Sequence, residues 1–312
     1  MSGITVSVHT ADPPECEQWR AQLQSALGDG FRVVTGADPR AHYAVAWAPS
    51  AGFFTAQPAL RAVFSMAAGV DHLLGIDTLP QMLPIYRLED AGMGAQMIRY
   101  CRHEVEHLLL DRHRYGRQQR DASWHQHPVR EPAELTVGLF GYGVLGQRVA
   151  RALADEGYRV RAFRRRVDQR VHEDITEFAG QAQWPSFLNG LQVLILLAPL
   201  TAQTRGIIDG AVFDAMAKNS WLINVGRGAL LDEPALLEAL GDGRLAGASL
   251  DVSAREPLPG DHPFWLHPQI RITPHVAAVT LIGPSARQIA ARIAALERGE
   301  PVGRSVDRSS GY

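Results

Sequence analysis

Short apolar runs alternate with longer segments of mixed polarity along most of the chain, a pattern typical of parallel strands connected by helices. The first third predicts strands over residues 4–8, 31–34, 43–47, 63–66 and 83–87, with a helix over residues 15–27. A second series predicts strands over residues 136–140, 159–163, 193–197, 221–224, 247–251 and 270–273, with helices over residues 145–153, 211–217, 234–240 and 286–298. The sequence therefore predicts an α/β protein with two series of parallel strands.

A long amphipathic helix is predicted between the two series. Met97, Cys101, Val105 and Leu108 recur at i, i+4, i+8 and i+11, which places them on one apolar stripe. We expect this helix to bridge two domains. The stretch that follows, residues 112–130, is rich in Arg, Gln and His and contains a single tryptophan, Trp124.

The second series opens on a glycine-rich turn, in which residues 136–150 read TVGLFGYGVLGQRVA. Its glycines have the G-x-G-x-x-G spacing between a predicted strand and a predicted helix, the context that indicates dinucleotide binding. The first glycine allows a tight turn, the second lets the backbone approach a pyrophosphate, and the third lets helix and strand pack closely. The helix N-terminus favours the phosphates. The candidate cofactor-binding residues are Gly141, Gly143, Val144, Leu145, Gly146, Leu197, Pro199 and Val225.

The end of the next strand indicates which dinucleotide is bound. A NAD-specific site carries an acidic residue there, about 20 residues beyond the glycines, whereas this chain reads Phe163-Arg164-Arg165-Arg166. Guanidinium groups suit a ribose 2′-phosphate, so we predict NADP(H), with Arg165 as the main phosphate ligand, Arg164 as the second, and NAD still possible. The alternatives are a solvated basic edge or a nucleic-acid patch.

Composition and net charge exclude several classes of protein. The 312 residues have a net charge of −2, which gives no general attraction to nucleic acid or to a membrane surface. Two cysteines, Cys16 and Cys101, provide no disulfide framework, which favours a reducing compartment. No signal-peptide pattern or membrane-spanning run is predicted. We therefore expect a soluble cytoplasmic enzyme, with no metal site.

Three charged side chains follow three successive predicted strands. Arg227 lies in NVGRGA, Glu256 in LDVSAREP and His275 in ITPHVA, so all three are expected at the carboxyl edge of one parallel sheet. An arginine can bind the carboxylate and keto oxygen of a 2-keto acid, and a histidine oriented by a carboxylate can supply the proton as hydride arrives. Each residue alone also fits an ordinary role: a surface ion pair, a solvated loop charge or a capped turn.

A further candidate loop is SMAAGVD, residues 65–71, which follows a strand of the first series. Its small residues allow backbone N–H groups to surround an anion at the carboxyl end of a sheet. An ordinary strand-to-helix turn explains the same residues equally well.

The motifs GYGVLG, NVGRGALLD, DVSAREPLP and ITPHVAA together resemble the D-specific 2-hydroxyacid dehydrogenases over essentially the whole chain. RLEDAGMG, the tail VDRSSGY and the arginines after residue 163 resemble more narrowly the bacterial glyoxylate/hydroxypyruvate reductase A branch. The loop at residues 89–94 differs from the commoner family loop, which carries an asparagine.

This resemblance implies two Rossmann-like domains, each a doubly wound parallel sheet, with the active site in an interdomain cleft. Residues 1–104 plus 284–312 would form a discontinuous substrate domain, and residues 105–283 the dinucleotide-binding domain. The resemblance also implies a homodimer and gives Arg227, Glu256 and His275 the catalytic roles and Asp251 a contact with the nicotinamide carboxamide. The substrate-binding residues it suggests are Trp47, Ala68, Gly69, Val70, Met93 and Trp124.

Our interpretation is an NADPH-dependent reductase of small 2-keto acids, with glyoxylate and hydroxypyruvate as the favoured substrates. One alternative is a NAD-dependent dehydrogenase of a bulkier D-2-hydroxy acid, which the missing acidic residue after Phe163 disfavours. Another is a non-catalytic dinucleotide-sensing protein, since fold alone does not establish function. The presence of the arginine, glutamate and histidine together favours an enzyme. Trp124 is expected either to reach the partner subunit's active site or to be a local packing anchor.

Overall fold

A computed structural model describes residues 3–165 and 172–311 of the protein. The chain divides into two compact units, Met1–Met93 with Thr280–Tyr312, and Gly94–Val279. The expected domain boundaries, after residues 104 and 283, fall inside two helices, Met93–Leu109 and Ile282–Glu297. The units change near the starts of these helices because each helix packs along its length within one unit.

The strands are β1 Ile4–His9, β2 Phe31–Thr35, β3 Tyr43–Ala46, β4 Ala62–Ser65, β5 Ile85–Tyr86, β6 Thr136–Phe140, β7 Arg159–Arg164, β8 Ile175–Ala179, β9 Val193–Leu196, β10 Ser220–Asn224, β11 Leu245–Leu250 and β12 Ile270–Ile272. The α-helices are α1 Pro13–Leu27, α2 Ala51–Thr55, α3 Asp71–Leu74, α4 Met93–Leu109, α5 Arg112–Arg120, α6 Val144–Asp155, α7 Trp184–Leu188, α8 Gly210–Ala215, α9 Glu233–Gly241 and α10 Ile282–Glu297.

The first unit contains a parallel sheet in the order β2-β1-β3-β4-β5. Every residue of β3 and β4 is buried, as expected for strands covered on both faces. Helix α1 begins where the Asp12 carboxylate accepts the Glu15 N–H at 3.2 Å, and it packs against α10. The carboxyl ends of β3 and β4 lead directly into Trp47 and into the loop that starts at Ser65.

The second unit contains a seven-stranded parallel sheet in the order β12-β11-β10-β9-β6-β7-β8. The chain winds from β6 towards β8 on one side and from β9 to β12 on the other, so the strand order reverses between β6 and β9. Ligands of doubly wound sheets bind at such a reversal, beyond the carboxyl ends of the strands. The predicted α/β class with two doubly wound parallel sheets is confirmed.

Helix α4 packs against the sheet of the second unit. Its predicted apolar stripe of Met97, Cys101, Val105 and Leu108 is buried in one core with residues of β6, β7, β9 and β10. Burial of this stripe, rather than helix propensity alone, stabilises a 17-residue helix of mixed composition. The stripe fixes which face of α4 is turned towards the strands that carry the candidate catalytic residues.

Several elements differ from the prediction. The strand expected over residues 83–87 is only Ile85–Tyr86, because Pro84 has no N–H to donate to a neighbouring strand. Strand β8 and helices α2, α3, α5 and α7 were not predicted. Among the described residues, no helix is both long enough and apolar enough to cross a membrane.

Candidate active site

The three predicted catalytic residues follow three adjacent strands of the second unit. Arg227 comes three residues after β10, Glu256 lies in the loop after β11, and His275 comes three residues after β12. Strands β10, β11 and β12 are neighbours in the sheet. The parallel sheet therefore brings an arginine, a glutamate and a histidine to one edge, as the sequence predicts.

His275 and Glu256 form a direct pair. The imidazole Nδ1 lies 2.8 Å from Glu256 Oε2, and both side chains are about two-fifths exposed, 43% and 41%. The second carboxylate oxygen of Glu256 accepts the Ser253 N–H at 3.2 Å. Because Nδ1 is engaged by the carboxylate, Nε2 is the ring nitrogen left to meet a substrate, the arrangement expected of a histidine that transfers a proton.

The backbone around His275 is strained and heavily hydrogen-bonded. His275 has φ of 56°, a left-handed conformation that a non-glycine residue adopts only when its surroundings hold it there. Its N–H donates to the Asp251 carbonyl at 2.8 Å. The Asp251 carboxylate accepts the Thr273 hydroxyl at 2.6 Å and the N–H groups of Val276 and Ala277 at 2.8 Å. Asp251, 2% exposed, thus builds the loop that presents His275, a role that the sequence analysis missed.

The turn that carries Arg227 is shaped by a buried asparagine and a glycine. The Asn224 side chain donates to the Arg227 carbonyl at 3.1 Å and accepts the Gly226 N–H at 3.2 Å. A Cβ on Gly228 would lie 1.9 Å from the backbone carbon of Ser253, so only glycine lets this turn pack against the loop that contains Glu256. The turn therefore brings the backbone next to Arg227 close to the loop that contains Glu256, the residue paired with His275.

The glycine-rich turn fits a dinucleotide. Gly141 has φ of 111°, and a Cβ there would lie 2.3 Å from the Ala198 nitrogen. A Cβ on Gly146 would lie 2.1 Å from the Gly141 oxygen, whereas the Cβ position of Gly143 has no atom within 4 Å. The first and third glycines are thus needed for packing, and the second leaves open space at the N-terminus of α6. This is the arrangement through which a pyrophosphate approaches the backbone.

The other candidate cofactor contacts lie around the strand reversal. Val144 and Leu145 begin α6, with Val144 exposed at 42%. Leu197 and Pro199 follow β9, and Val225 follows β10. Strand β9 lies next to β6, and β10 lies next to β9, so the predicted residues share the carboxyl edge of the sheet. Their contacts with a cofactor stay predictions.

The two predicted phosphate ligands have different surroundings. Arg164 is the last residue of β7, and its guanidinium lies 2.7 Å from Glu177 and 5.7 Å from the centre of the Tyr142 ring. The Glu177 side chain is only 1% exposed. Arg165 is exposed just beyond the strand, and Arg166 lies outside the described residues. Glu177 was not anticipated, and Arg165 is the better exposed of the two predicted ligands.

In the first unit, the candidate substrate residues lie after β3 and β4. Trp47 is 40% exposed and packs against His72, with ring centres 4.1 Å apart and the ring planes tilted by 36°. The Ser65 hydroxyl accepts the Ala67 N–H and donates to the Gly69 carbonyl, both at 3.1 Å. These bonds hold the predicted Ala68, Gly69 and Val70 loop in shape, and His72 is a neighbour that the sequence did not indicate. Val70 and Met93 are buried, each 3% exposed.

Trp124 lies in the second unit, after α5, and is fully exposed at 102%. The adjacent segment contacts α5 through bonds from the Gln118 side chain to the His125 carbonyl, at 3.1 Å, and from the His127 N–H to the Tyr115 hydroxyl, at 3.0 Å. A fully exposed indole packs on nothing in the described chain, so a local anchoring role does not account for it.

Comparison with known proteins agrees with this geometry. The family model of the D-isomer specific 2-hydroxyacid dehydrogenase NAD binding domain matches residues 107–277. A glyoxylate/hydroxypyruvate reductase A of Yersinia enterocolitica is 41% identical over 306 residues, covering 96% of this chain and 97% of that protein. The chain belongs to the D-isomer specific 2-hydroxyacid dehydrogenase family and is a NAD(P)-dependent oxidoreductase.

Solved structures of relatives have the same fold. A D-isomer specific 2-hydroxyacid dehydrogenase from Xanthobacter autotrophicus, in complex with NADPH and MES, is 35% identical with a TM-score of 0.92 and covers 100% of both chains. An NADPH-dependent glyoxylate/hydroxypyruvate reductase from Sinorhizobium meliloti, in complex with NADP and sulfate, is 34% identical with a TM-score of 0.90, covering 99% of this chain and 100% of that one. The predicted family and cofactor class are confirmed.

Proposed function

We propose that the protein is an NADPH-dependent reductase of small 2-keto acids, converting glyoxylate to glycolate and hydroxypyruvate to D-glycerate. The observation that carries the proposal is the set of Arg227, Glu256 and His275 at three neighbouring strand ends, with the imidazole 2.8 Å from the carboxylate. The names of the relatives from Yersinia enterocolitica and Sinorhizobium meliloti support the choice of substrates.

In the proposed reaction, Arg227 binds the substrate carboxylate and keto oxygen through its planar, forked donors. NADPH, when bound, supplies the hydride that adds to the keto carbon. As negative charge develops on the keto oxygen, His275 Nε2 donates a proton to it, which yields the 2-hydroxy acid. Glu256, bonded to Nδ1, orients the ring and stabilises its protonated form. Within the first unit, the proposed substrate-binding element is the Ala68, Gly69 and Val70 loop, with Trp47 and Met93.

We propose that the cofactor preference for NADPH over NADH rests mainly on Arg165. Arg164 is already paired with Glu177, so part of its charge is compensated before any phosphate binds. The bound NADPH and NADP named for the relatives support this preference. Asp251 would contact the nicotinamide carboxamide at the same edge, in addition to holding the His275 loop.

We further propose a cytoplasmic homodimer in which Trp124 reaches the partner subunit's active site. Full exposure of one large aromatic side chain supports an intermolecular role, because tryptophan is enriched at protein–protein interfaces. Light scattering on the purified protein tests the assembly. An active monomer, or a Trp124→Ala variant with unchanged KM values across the keto acids, would rule out the role of Trp124.

The test of the function is NADPH oxidation by the purified protein over a panel of 2-keto acids, with NADH in parallel. We expect the highest kcat/KM for glyoxylate or hydroxypyruvate with NADPH. A preference for a bulky keto acid with NADH would favour the alternative dehydrogenase. Dinucleotide binding without turnover of any keto acid would instead indicate a sensor protein.

A further inference from the structure

Helix α4 presents a polar row to β11 and β12 beside its apolar stripe. Tyr100, Glu104 and His107 stand at i, i+4 and i+7 and therefore share one face of the helix. This face lies next to the core that contains Cys101 and Val105. Polar groups in such a position are costly unless they are bonded, which makes their partners informative.

Glu104 and His107 fasten the two strands that end at the catalytic edge. The Glu104 carboxylate, on a residue 4% exposed, accepts Arg271 Nη2 at 3.2 Å and the Ser249 hydroxyl, and it lies 3.1 Å from Arg271 Nε in an ion pair. His107 Nδ1 lies 2.8 Å from Arg271 Nη1. Ser249 belongs to β11 and Arg271 to β12, each two residues before a residue that shapes the His275 loop.

Tyr100 reaches that loop itself. Its hydroxyl lies 2.6 Å from Thr273 Oγ1, which lies 2.6 Å from Asp251 Oδ1. A carboxylate can only accept, so the threonine must give its one proton to Asp251, and the tyrosine must donate to the threonine. Burial raises the pKa of Tyr100 far above its usual range, so its hydroxyl stays protonated and remains a donor at every working pH.

The chain of bonds continues to His275 through Asp251. The same Oδ1 that accepts the Thr273 hydroxyl also accepts the Val276 N–H, and the Asp251 carbonyl accepts the His275 N–H. His275 holds a left-handed φ within this loop. A shift of Thr273 or Asp251 would therefore move the imidazole relative to Glu256, whose contact of 2.8 Å fixes the ring orientation.

We infer that Tyr100, acting through Thr273 and Asp251, is a positioning residue for His275. The inference rests on the proposed role of His275 as the proton donor. Buried polar and charged networks usually add little to stability compared with apolar packing of the same volume. What this network provides is a fixed position of the loop, to which proton transfer is sensitive over distances well below 1 Å.

The test uses single-atom and single-methyl changes. Tyr100→Phe removes one hydroxyl and keeps the ring, and its kcat for NADPH-dependent keto-acid reduction should fall about two- to tenfold. Thr273→Val removes the bond to the carboxylate and should lower kcat about ten- to a hundredfold. Thr273→Ser retains the hydroxyl and should bring kcat back to within about threefold of the wild type.

A matched control is Tyr158→Phe, which removes the hydroxyl of another buried tyrosine of the same unit, 5% exposed and next to the first residue of β7. It should leave kcat unchanged. NADPH binding, followed by fluorescence, should give the same stoichiometry and Kd in all variants, and KM for the keto acid should change less than kcat.

Each outcome has a distinct meaning. The graded loss of kcat with rescue by Thr273→Ser supports the inference. It is overturned if Tyr100→Phe and Thr273→Val retain full kcat while His275→Ala is inactive, or if kcat falls only in proportion to a lost fraction of NADPH-binding protein. If His275→Ala itself retains normal turnover, the proposed role of His275 fails, and the inference fails with it.

Discussion

The ends of β12 and β7 lie on the same sheet but hold their functional side chains in different ways. His275 sits in a loop fastened by Asp251 and Thr273, with a buried carboxylate at its centre. Arg165 stands exposed immediately after its strand. The loop at the end of β12 fixes the position of the His275 ring, whereas Arg165 at the end of β7 provides a positive charge at the protein surface.

This difference follows from what each site has to do. Proton transfer requires the donor to lie within hydrogen-bond reach of the reacting oxygen, so small displacements are expensive. Attraction between a guanidinium and a phosphate falls off slowly with distance and tolerates a mobile side chain. We therefore expect substitutions after β12 to reduce kcat steeply and substitutions after β7 to change cofactor affinity more moderately.

The largest effect is expected for His275→Ala. Loss of the proton donor should lower kcat about 10²–10⁴-fold at every pH, since a general acid typically contributes that much. NADPH affinity, measured by fluorescence titration, should stay within about twofold. Normal turnover in this variant would contradict the role of His275 as the proton donor. The end of β12 would then not need the precise positioning that distinguishes it from the end of β7.

Glu256→Gln sharpens the role of the carboxylate. The substitution keeps the size of the side chain and removes the negative charge 2.8 Å from Nδ1. The ring then loses its charged partner, so kcat/KM in the reduction direction should fall about 10–150-fold, as expected for one charge-assisted hydrogen bond. Steady-state kinetics close to those of the wild type would show that Glu256 is not the partner of His275.

The Arg227→Lys variant tests whether the planar shape of the guanidinium is needed in addition to its positive charge. Lysine keeps the positive charge but loses the planar fork, so we expect kcat/KM for the keto acid to fall about 10–150-fold. The measurement is steady-state kinetics at saturating NADPH. Turnover close to that of the wild type would mean that Arg227 acts only as a charge, as we propose for Arg165 after β7.

Arg165→Ala should have a smaller effect, confined to one cofactor. A charge-assisted hydrogen bond contributes about 1.5–3 kcal/mol, and exposure reduces this, so we expect roughly tenfold weaker NADPH binding with NADH binding nearly unchanged. The control is Arg159→Ala, an exposed arginine at the opposite end of the same strand. Equal losses for both cofactors in Arg165→Ala would reject its assignment as the 2′-phosphate ligand.

The sequence predicted the elements and residues whose signals are local. The glycine spacing at residues 141–146 and the strand ends before Arg227 and His275 are read from short, contiguous patterns. Helix α5 was missed because it is polar on all sides and buries none of its residues. Strand β8 was missed because only Ile175 of its five residues is buried, so its pattern lacks a continuous apolar run.

The contacts that shape the site depend on register, which the sequence did not reveal. In the pairing of β7 with β8, Ala162 lies opposite Glu177. Arg164 is two residues further along β7, so its side chain is on the same face of the sheet as Glu177, and the two side chains meet. Tyr100 meets Thr273 across 173 residues of sequence. Asp251 was anticipated only as a cofactor contact, although its burial and three accepted hydrogen bonds tie it to the His275 loop.

The smallest expected effect concerns the pH dependence of protein stability. It involves His107, which contacts Arg271 of β12, and the neighbouring His113. Burial, and then the positive charge of Arg271, lowers the pKa of His107 to about 4. Burial also lowers the pKa of His113 to about 4. Both rings lie 5.5 Å from the buried Trp221 ring. Since His107 Nδ1 faces the Arg271 guanidinium at 2.8 Å, it acts as an acceptor, which requires the neutral ring.

Because an unfolded histidine has a pKa of about 6.5, the folded protein binds fewer protons than the unfolded chain between that value and about 4. This contribution to stability is therefore fully present above about pH 6.5 and is lost progressively as the pH falls towards 4. In urea unfolding, the His107→Gln/His113→Gln variant should lose less stability than the wild type between pH 7.5 and 5. The exposed His125→Gln serves as the control and should follow the wild type. If the double variant loses as much stability as the wild type, these two rings do not titrate with folding, and the acid sensitivity lies elsewhere in the chain.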